Sequence, residues 1–260
     1  MKVRTTVMAA TAAVLCLTAV ACGPGDSADK GERKDSGKAT GKASGSASAS
    51  PAPGSDTGSA PGPKPTSNGK TLTEAELIKV ALANGELPDY DFAKMPGGDE
   101  RGTEQSENPA CRPIASVING SPEPAPAATV FRTAMDTSEE GQDDQTVVTE
   151  ILTSHAPGGA EQLLSSVRDA VKACAGGFRT TSDDGPSTYT EVKALPAPKA
   201  GQESLAYQVT GSIEGEGVPL VFQLVRTGST VVTFYAANFT SARTPEVPAA
   251  LVTAQAAKLP

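Results

Sequence analysis

Three stretches near the end of the sequence alternate apolar and polar residues with a period of two. They centre on Val209, Phe222 and Phe234, and the glycine-containing turns 214–217 and 226–228 separate them. A period of two is typical of β-strands, and short turns between such strands make them antiparallel neighbours. The pattern therefore predicts a C-terminal β-meander and commits this part of the chain to an antiparallel sheet.

The turn lengths predict which residues share a face of the meander. A two- or four-residue turn at 214–217 and a three-residue loop at 226–228 place Val209, Phe222 and Val232 together on an apolar face. The opposite face then carries side chains with hydrogen-bonding capacity and little charge, and these are the candidates for ligand contacts: Gln208, Thr210, Gln223, Thr233 and Tyr235. Plain solvent-facing strand positions are an equally good explanation of the same pattern.

Helical periodicity and capping signals lie on both sides of the meander in the sequence. Thr73 with Glu76 predicts a capping box, and Asn108-Pro109 starts a second helix. Apolar residues three and four apart predict a long helix after Pro157-Gly158-Gly159, and a last amphipathic helix covers about 245–258. Further strand-like segments lie between the helices, at 89–95, 129–135, 146–154 and 188–195. The whole pattern predicts one α+β domain over 71–260, with a mainly antiparallel sheet of five to seven strands and three to four helices.

The first 22 residues have the pattern of an export signal. After a basic start, the apolar run from Val7 to Val20 has the length of a signal peptide and is short for a membrane span. Small Ala19 and Ala21 lead to Cys22, as in a bacterial lipobox, in which that cysteine receives a lipid. An ordinary signal peptide with an incidental cysteine is the alternative. We favour removal of 1–21, lipidation of Cys22, and a lipid anchor that holds the protein on the extracytoplasmic face of the cell membrane.

The segment 22–70 differs in composition from everything after it. Beyond Cys22 it consists mainly of Gly, Ser, Ala, Pro, Thr and Lys, and it has no aromatic residue. Such a segment cannot bury enough apolar surface to offset the entropy of ordering, so the sequence predicts a disordered tether. A flexible chain of this length has an end-to-end distance of about 40 Å, enough to lift the domain away from the membrane.

With Cys22 lipidated, the mature chain keeps Cys111 and Cys174. Each cysteine lies on the apolar stripe of a predicted helix, so the two side chains can meet where the helices pack. An even count of cysteines in an exported domain is typical of a disulfide. Metal ligation and a redox pair are the alternatives, but the chain has no CxxC motif and a single histidine. The sequence therefore predicts one Cys111–Cys174 bond.

Charge and motifs exclude several functions. The chain has a formal net charge of −8, and the acidic excess lies in the predicted domain, which would repel nucleic-acid phosphates. Nucleophile-elbow, zinc-protease and phosphate-loop motifs do not occur in the sequence. His155 is interpreted as an exposed residue at a strand end, and the acidic stretch 139–144 as a solvated turn. We therefore expect no enzymatic activity, no cofactor and no metal site.

Three segments together resemble a known family. They are PACRP (109–113) and VRDAVKAC (167–174), each with a cysteine in a predicted helix, and LVRTGSTVV (224–232) in the meander. Their order is similar to that in the extracellular sensor domain of actinobacterial serine/threonine kinases of the PknH type, a domain that also occurs in free lipoproteins. The resemblance covers roughly 71–258 and implies an antiparallel sheet with packed helices, a disulfide, and a cleft for an unknown ligand. The kinase sensors carry more disulfides, and this chain has no kinase domain, so signalling output is not implied.

Two functions fit these expectations. The first is a non-catalytic, sensor-like module that binds a small ligand or an envelope protein. The second is a structural or interaction lipoprotein of the cell envelope without a small ligand. A concave, polar site of several hundred Å³ would favour the first, and a flat solvated surface would favour the second.

Overall fold

The computed structural model describes residues 69–94, 101–213, 215–241 and 243–260. They form an antiparallel sheet with helices on both faces, so the predicted α+β fold is confirmed. Within these ranges the strands are β1 (Tyr90–Ala93), β2 (Gln105–Ser106), β3 (Ala128–Asp136), β4 (Val147–Ser154), β5 (Phe178–Thr181), β6 (Ser187–Leu195), β7 (Glu203–Ile213), β8 (Glu216–Thr227) and β9 (Thr230–Ala237). The α-helices are α1 (Glu74–Val80), α2 (Arg112–Ile118), α3 (Glu139–Asp144), α4 (Gly159–Ala173) and α5 (Ala249–Lys258).

The strand order in the sheet is β1-β3-β4-β9-β8-β7-β6-β5-β2, and all neighbours are antiparallel. The described residues therefore contain nine strands rather than the predicted five to seven. The additional strands, β2 and β5, span two and four residues and are too short to show an alternating pattern. The predicted meander β7-β8-β9 lies in the middle of the sheet, so its two faces can both be covered by helices.

Helices pack on both faces and create two apolar cores. On the face that we call the disulfide face, α2 and α4 cover inward side chains such as Tyr207, Phe222 and Leu224. On the opposite face, the terminal face, α1 and α5 cover Val221, Phe234 and their neighbours. Strand β8 is buried on both faces, and each face carries apolar side chains. The alternation of apolar and polar residues that marks a half-exposed strand is therefore weak along it.

A disulfide joins the two helices of the disulfide face. Cys111 ends a 3-10 turn, Pro109–Cys111, that leads into α2, and Cys174 follows α4. The two cysteines are bonded across 63 residues of sequence with Cα atoms 5.9 Å apart, and both are essentially inaccessible to solvent. The predicted Cys111–Cys174 bond is therefore present in the structure. In the chain-entropy model a loop of this length contributes about 4 kcal/mol.

Local capping signals are confirmed at two helix starts. The Thr73 side chain accepts from the Glu76 amide, and the Glu76 carboxylate accepts from the Thr73 amide, which is the predicted capping box. Asn108 caps the turn that precedes α2. The stretch predicted as a solvated acidic turn is instead the short helix α3, because the Ser138 hydroxyl accepts from the Gly141 amide and supplies its N-cap.

All the described residues belong to one compact unit. The predicted leader, Cys22 and nearly all of the predicted tether lie outside the described residues. In the part of the chain that the structure describes, no helix combines the length and the apolar character needed to cross a bilayer.

Candidate functional site

One cavity, which we call the acidic cleft, has a volume of about 650 Å³. Helix α3 and the segment 243–248 line it, together with Ala134 and Val148 from the terminal face of the sheet. Its carboxylates outnumber its single cation, Arg243; they are Asp136, Glu140, Asp143, Asp144 and Glu246. The cleft therefore has a negative potential that would attract cations.

Two of the five acidic side chains of this cleft, Asp136 and Asp144, are engaged in local structure. Asp136 accepts from the amide of Ser138 at 2.9 Å and from its hydroxyl at 2.6 Å. Burial and the nearby Asp136 carboxylate raise the pKa of Tyr90 to about 12. Arg243 pairs with Asp144. Among the described residues, no group of three or more His, Cys, Asp or Glu side chains is arranged to hold a metal ion.

A second cavity, the histidine pocket, has a volume of about 560 Å³. Its wall is built by the turn 155–158 after β4, by the first two turns of α4, and by Pro124-Ala125 in the loop before β3. Most of the lining is small or proline, and the polar lining side chains are His155, Glu161, Gln162 and Ser165.

His155 is completely buried, so the expectation of an exposed strand-end histidine is wrong. The start of the domain covers it. Thr71 donates its hydroxyl hydrogen to the His155 carbonyl at 2.9 Å, and the Leu72 amide donates to the Ser154 hydroxyl at 2.7 Å. These contacts join positions more than 80 residues apart, so no local pattern around His155 could reveal them.

The His155 ring lies among polar groups of neighbouring elements. Its Nε2 lies 3.0 Å from the Thr153 hydroxyl, and that hydroxyl donates its hydrogen to the Val231 carbonyl at 3.2 Å. Burial lowers the pKa of His155, while the Pro124 carbonyl and the Glu161 carboxylate raise it, so the ring is neutral at neutral pH. Nδ1 is buried and has no hydrogen-bond partner.

Glu161, the second titratable group of the pocket, belongs to a charged network at the end of the sheet. Its Oε1 pairs with Arg226 at 3.2 Å, and the Arg226 Nε pairs with Glu203 at 3.2 Å. Arg168 also pairs with Glu203, at 2.7 Å, so two cations balance two carboxylates. The Oε2 of Glu161 is buried and has no hydrogen-bond partner.

Glu150 is a buried carboxyl outside both cavities. It lies in β4 on the terminal face, between Arg132 of β3 and Phe234 of β9, and it is fully inaccessible. Neither carboxyl oxygen has a hydrogen-bond partner. Burial raises its pKa to about 8, against the opposing charges of Arg132 and Lys258. A single acidic residue in the otherwise uncharged strand sequence VVTEILTS was the signal that could have identified it.

No arrangement for covalent catalysis is formed around the histidine. The neighbour of its Nε2 is the Thr153 hydroxyl, which is 1% exposed and bonded to a main-chain carbonyl. A nucleophile must reach its substrate, and this hydroxyl does not. The paired carboxylates Asp89/Asp91 and Asp183/Asp184 are exposed.

The residues predicted to share one polar face of the meander are split between the two faces. Thr227 pairs with Thr230, so the turn between β8 and β9 contains only Gly228 and Ser229 and not the predicted three residues. Gly228 has a φ of 56°, as the first residue of a type II′ turn requires. Changing the loop by one residue moves every side chain of β9 to the other face.

Consequently, Gln208, Thr210 and Gln223 lie on the terminal face, and Thr233 and Tyr235 lie on the disulfide face. Thr233 is buried, and Tyr235 stacks on Phe222 with ring centroids 4.9 Å apart. The single-face assignment is therefore wrong. None of the five lines the acidic cleft or the histidine pocket. The turn between β7 and β8 keeps the predicted parity: Val209 shares the disulfide face with Phe222, and its direct partner on β8 is Leu220.

The structure is similar to the crystal structure of the extracellular domain of PknH from Mycobacterium tuberculosis. The TM-score is 0.46 and the sequence identity 13%, over 73% of this chain and 95% of that chain. No protein-family model matches the sequence. No curated protein matches it either. The structural likeness is too distant to assign a function.

Proposed function

We propose that the protein is a lipoprotein, anchored through Cys22 on the extracytoplasmic face of the cell membrane, whose domain binds a ligand without catalysing a reaction. The predicted tether would hold this domain away from the membrane surface. The proposal combines a compartment, an anchor and a binding activity, and each has its own support.

The disulfide supports the compartment. Bonds such as Cys111–Cys174 persist in oxidising environments and are rare in the cytosol, where thiols are kept reduced. Both cysteines are buried between helix and sheet, as structural disulfides are. The export signal and lipobox-like sequence before Cys22 support the anchor independently of the fold.

The histidine pocket is the single observation that carries the binding activity. Its volume of about 560 Å³ lies within the range of small-molecule sites. The polar residues of its lining are His155, Glu161, Gln162 and Ser165, which could orient a ligand by hydrogen bonds.

A structural or interaction role is the second candidate, and an exposed apolar patch favours it. Met135 and Val147, on the neighbouring strands β3 and β4, are 46% and 44% exposed. Exposed apolar side chains that cluster are typical of protein contact surfaces. On this alternative, the protein would meet an envelope partner through the patch and would need no small ligand.

Native mass spectrometry of the full chain, purified in detergent from its own host, separates the two candidates. We expect a species heavier than the lipidated chain by the mass of a noncovalently bound small molecule, lost on collisional activation. A chain that carries its lipid and never any further small molecule, but that co-purifies with another envelope protein, would contradict ligand binding and support the alternative.

A further inference from the structure

We propose that His155 is an acid-sensitive switch for the segment 69–72, which we call the junction because the described domain begins there. Protonation of the His155 ring releases the junction from the ends of β4 and β9, while the rest of the sheet stays folded. This switch adds regulation by pH to the domain, and it does not depend on whether the histidine pocket binds a ligand. It follows from the contacts that hold the junction and from the surroundings of the ring.

The junction is bound to the end of β4 beside the ring. The Thr71 hydroxyl donates to the His155 carbonyl at 2.9 Å, and the Leu72 amide donates to the Ser154 hydroxyl at 2.7 Å. Both bonds reach the residues that lead from β4 into the turn 155–158, so a shift of His155 breaks them.

The turn between β8 and β9 binds the junction and His155 together. The His155 amide donates to the Ser229 carbonyl at 2.9 Å, and the Ser229 hydroxyl donates to the Lys70 carbonyl at 2.6 Å. Gly69 packs directly on this turn, because a Cβ atom added to it would lie 2.3 Å from the Ser229 nitrogen. A shift of His155 therefore loosens the junction on this side as well.

The position of the ring is suited to the neutral form of histidine. His155 is completely buried, and its Nε2 lies 3.0 Å from the Thr153 hydroxyl. Gly159 at the start of α4 packs against its side chain, since a Cβ atom added to Gly159 would lie 3.1 Å from the His155 Cβ. A charged ring here would lose its hydration, and turning into the adjacent histidine pocket would restore contact with water.

The charges around the ring do not compensate for this loss. The charged side chains on the elements packed around it are Glu161 of α4, Arg226 of β8, Lys70 of the junction and Glu123 of the loop before β3. Glu161 favours the charged ring, but Arg226 pairs with it at 3.2 Å. Lys70 pairs with Glu76, and Glu123 is exposed. Burial outweighs these effects and lowers the pKa of His155.

The direction of the pH effect follows from proton binding. In the fold the pKa of His155 lies below 6.5, whereas a ring released into water has its ordinary pKa of 6.5. The bound junction is therefore fully favoured above pH 6.5 and loses stability as the pH falls below 6.5. Because release takes up one proton, its equilibrium constant can rise by at most about tenfold for each pH unit.

Hydrogen exchange of single amides, followed by NMR on the full chain in detergent between pH 7.5 and 5.5, measures this release. The amides of Leu72 and His155 report on the junction, and the amide of Val232 in β9 reports on the centre of the sheet. After correction for intrinsic exchange rates, we expect the first two to lose protection below pH 6.5, by up to about tenfold per pH unit. Val232 should keep its protection.

Two variants separate the titration of the ring from the strength of the junction. In His155→Gln the side chain cannot titrate, so junction exchange should no longer depend on pH. Thr71→Val is the matched control, because it removes one junction hydrogen bond and leaves the ring unchanged. It should speed Leu72 exchange about fivefold at every pH, the effect of one lost hydrogen bond, and it should keep the pH dependence of the wild type.

His155 also reports on itself, because it is the only histidine in the chain and gives a single set of ring signals. We expect this ring to titrate below pH 6.5 in the folded protein. A ring that titrates at or above 6.5, or a junction whose protection is the same at every pH, would overturn the proposal. A loss of protection at Leu72 and Val232 together would also refute it, since acid would then unfold the domain as a whole.

Discussion

Replacing Glu150 should make the folded domain more stable at neutral pH, and the gain should grow as the pH rises. In the fold the carboxyl is inaccessible, with Arg132 as its cross-strand neighbour and Phe234 on the other side. Its pKa is raised from 4.5 to about 8 because burial disfavours the charged form. The charged groups facing it, Arg132 and Lys258, oppose this effect without overcoming it.

The direction of the pH effect follows from proton binding. Between about pH 4.5 and pH 8 the folded state holds a proton on Glu150 that the unfolded state releases. The free energy of unfolding must therefore fall as the pH rises through this window. Below pH 4.5 both states hold the proton, and the loss is absent.

The size of the effect follows from the two pKa values. Each unit of separation corresponds to about 1.4 kcal/mol. The destabilisation from Glu150 is about 1 kcal/mol at pH 5 and about 4 kcal/mol at pH 7.5. Glu150→Gln cannot titrate, so its stability relative to the wild type should increase by about 3 kcal/mol between these two pH values. A difference of that size is a large part of the total stability of a typical domain.

Urea unfolding of the full-length chain at pH 5 and pH 7.5, followed by circular dichroism, measures the change. The comparison across pH removes the constant cost of burying a glutamine amide. Glu191→Gln is the control, because Glu191 lies exposed on β6, and its effect should not depend on pH. A Glu150→Gln effect that is equal at both pH values would show that Glu150 is ionised in the fold and would refute the reasoning.

Three further changes test the rest of the structure. Cys111→Ala with Cys174→Ala should lower the free energy of unfolding by about 4 kcal/mol, and a loss below 1 kcal/mol in urea titrations would contradict a structural role for the bond. Tyr235→Ala should cost about 2 kcal/mol because its ring stacks in the core, whereas Gln223→Ala should cost almost nothing; equal costs would contradict the observed register. Cys22→Ala should move the protein from the membrane fraction to the medium or leave it unprocessed, and a membrane-bound, unlipidated Cys22 peptide in mass spectrometry would disprove the anchor.

The elements that the sequence predicted correctly depend on local chemistry. The capping box at Thr73 and the cap at Asn108 satisfy main-chain groups within a few residues, so their signals are complete in the sequence. The pairing of Cys111 with Cys174 was also accessible, because both cysteines lie on apolar stripes and one pair remained to be assigned.

The face of β9 could not be derived in the same way. Helices cover both sides of the central strands, so Val221 and Phe222 on β8 are both buried, each on a different side. Either register therefore buries apolar residues, and the alternating pattern cannot distinguish a two-residue turn from a three-residue loop. The register depends on the length of the turn at Gly228-Ser229. The turn has two residues and not three, and this difference of one residue places Thr233 and Tyr235 on the disulfide face.

The sequence did not predict the histidine pocket, because residues distant in sequence hold His155 in place. The main chain of His155 is held by Ser229 of the β8–β9 turn and by Thr71 at the start of the domain. The same turn also binds the chain ahead of the domain, because the Ser229 hydroxyl donates to the Lys70 carbonyl at 2.6 Å. The junction with the predicted tether and the position of His155 in the pocket wall therefore both depend on Ser229. Substitutions that test ligand binding belong on the α4 side of the pocket, at Gln162, where they leave this junction intact.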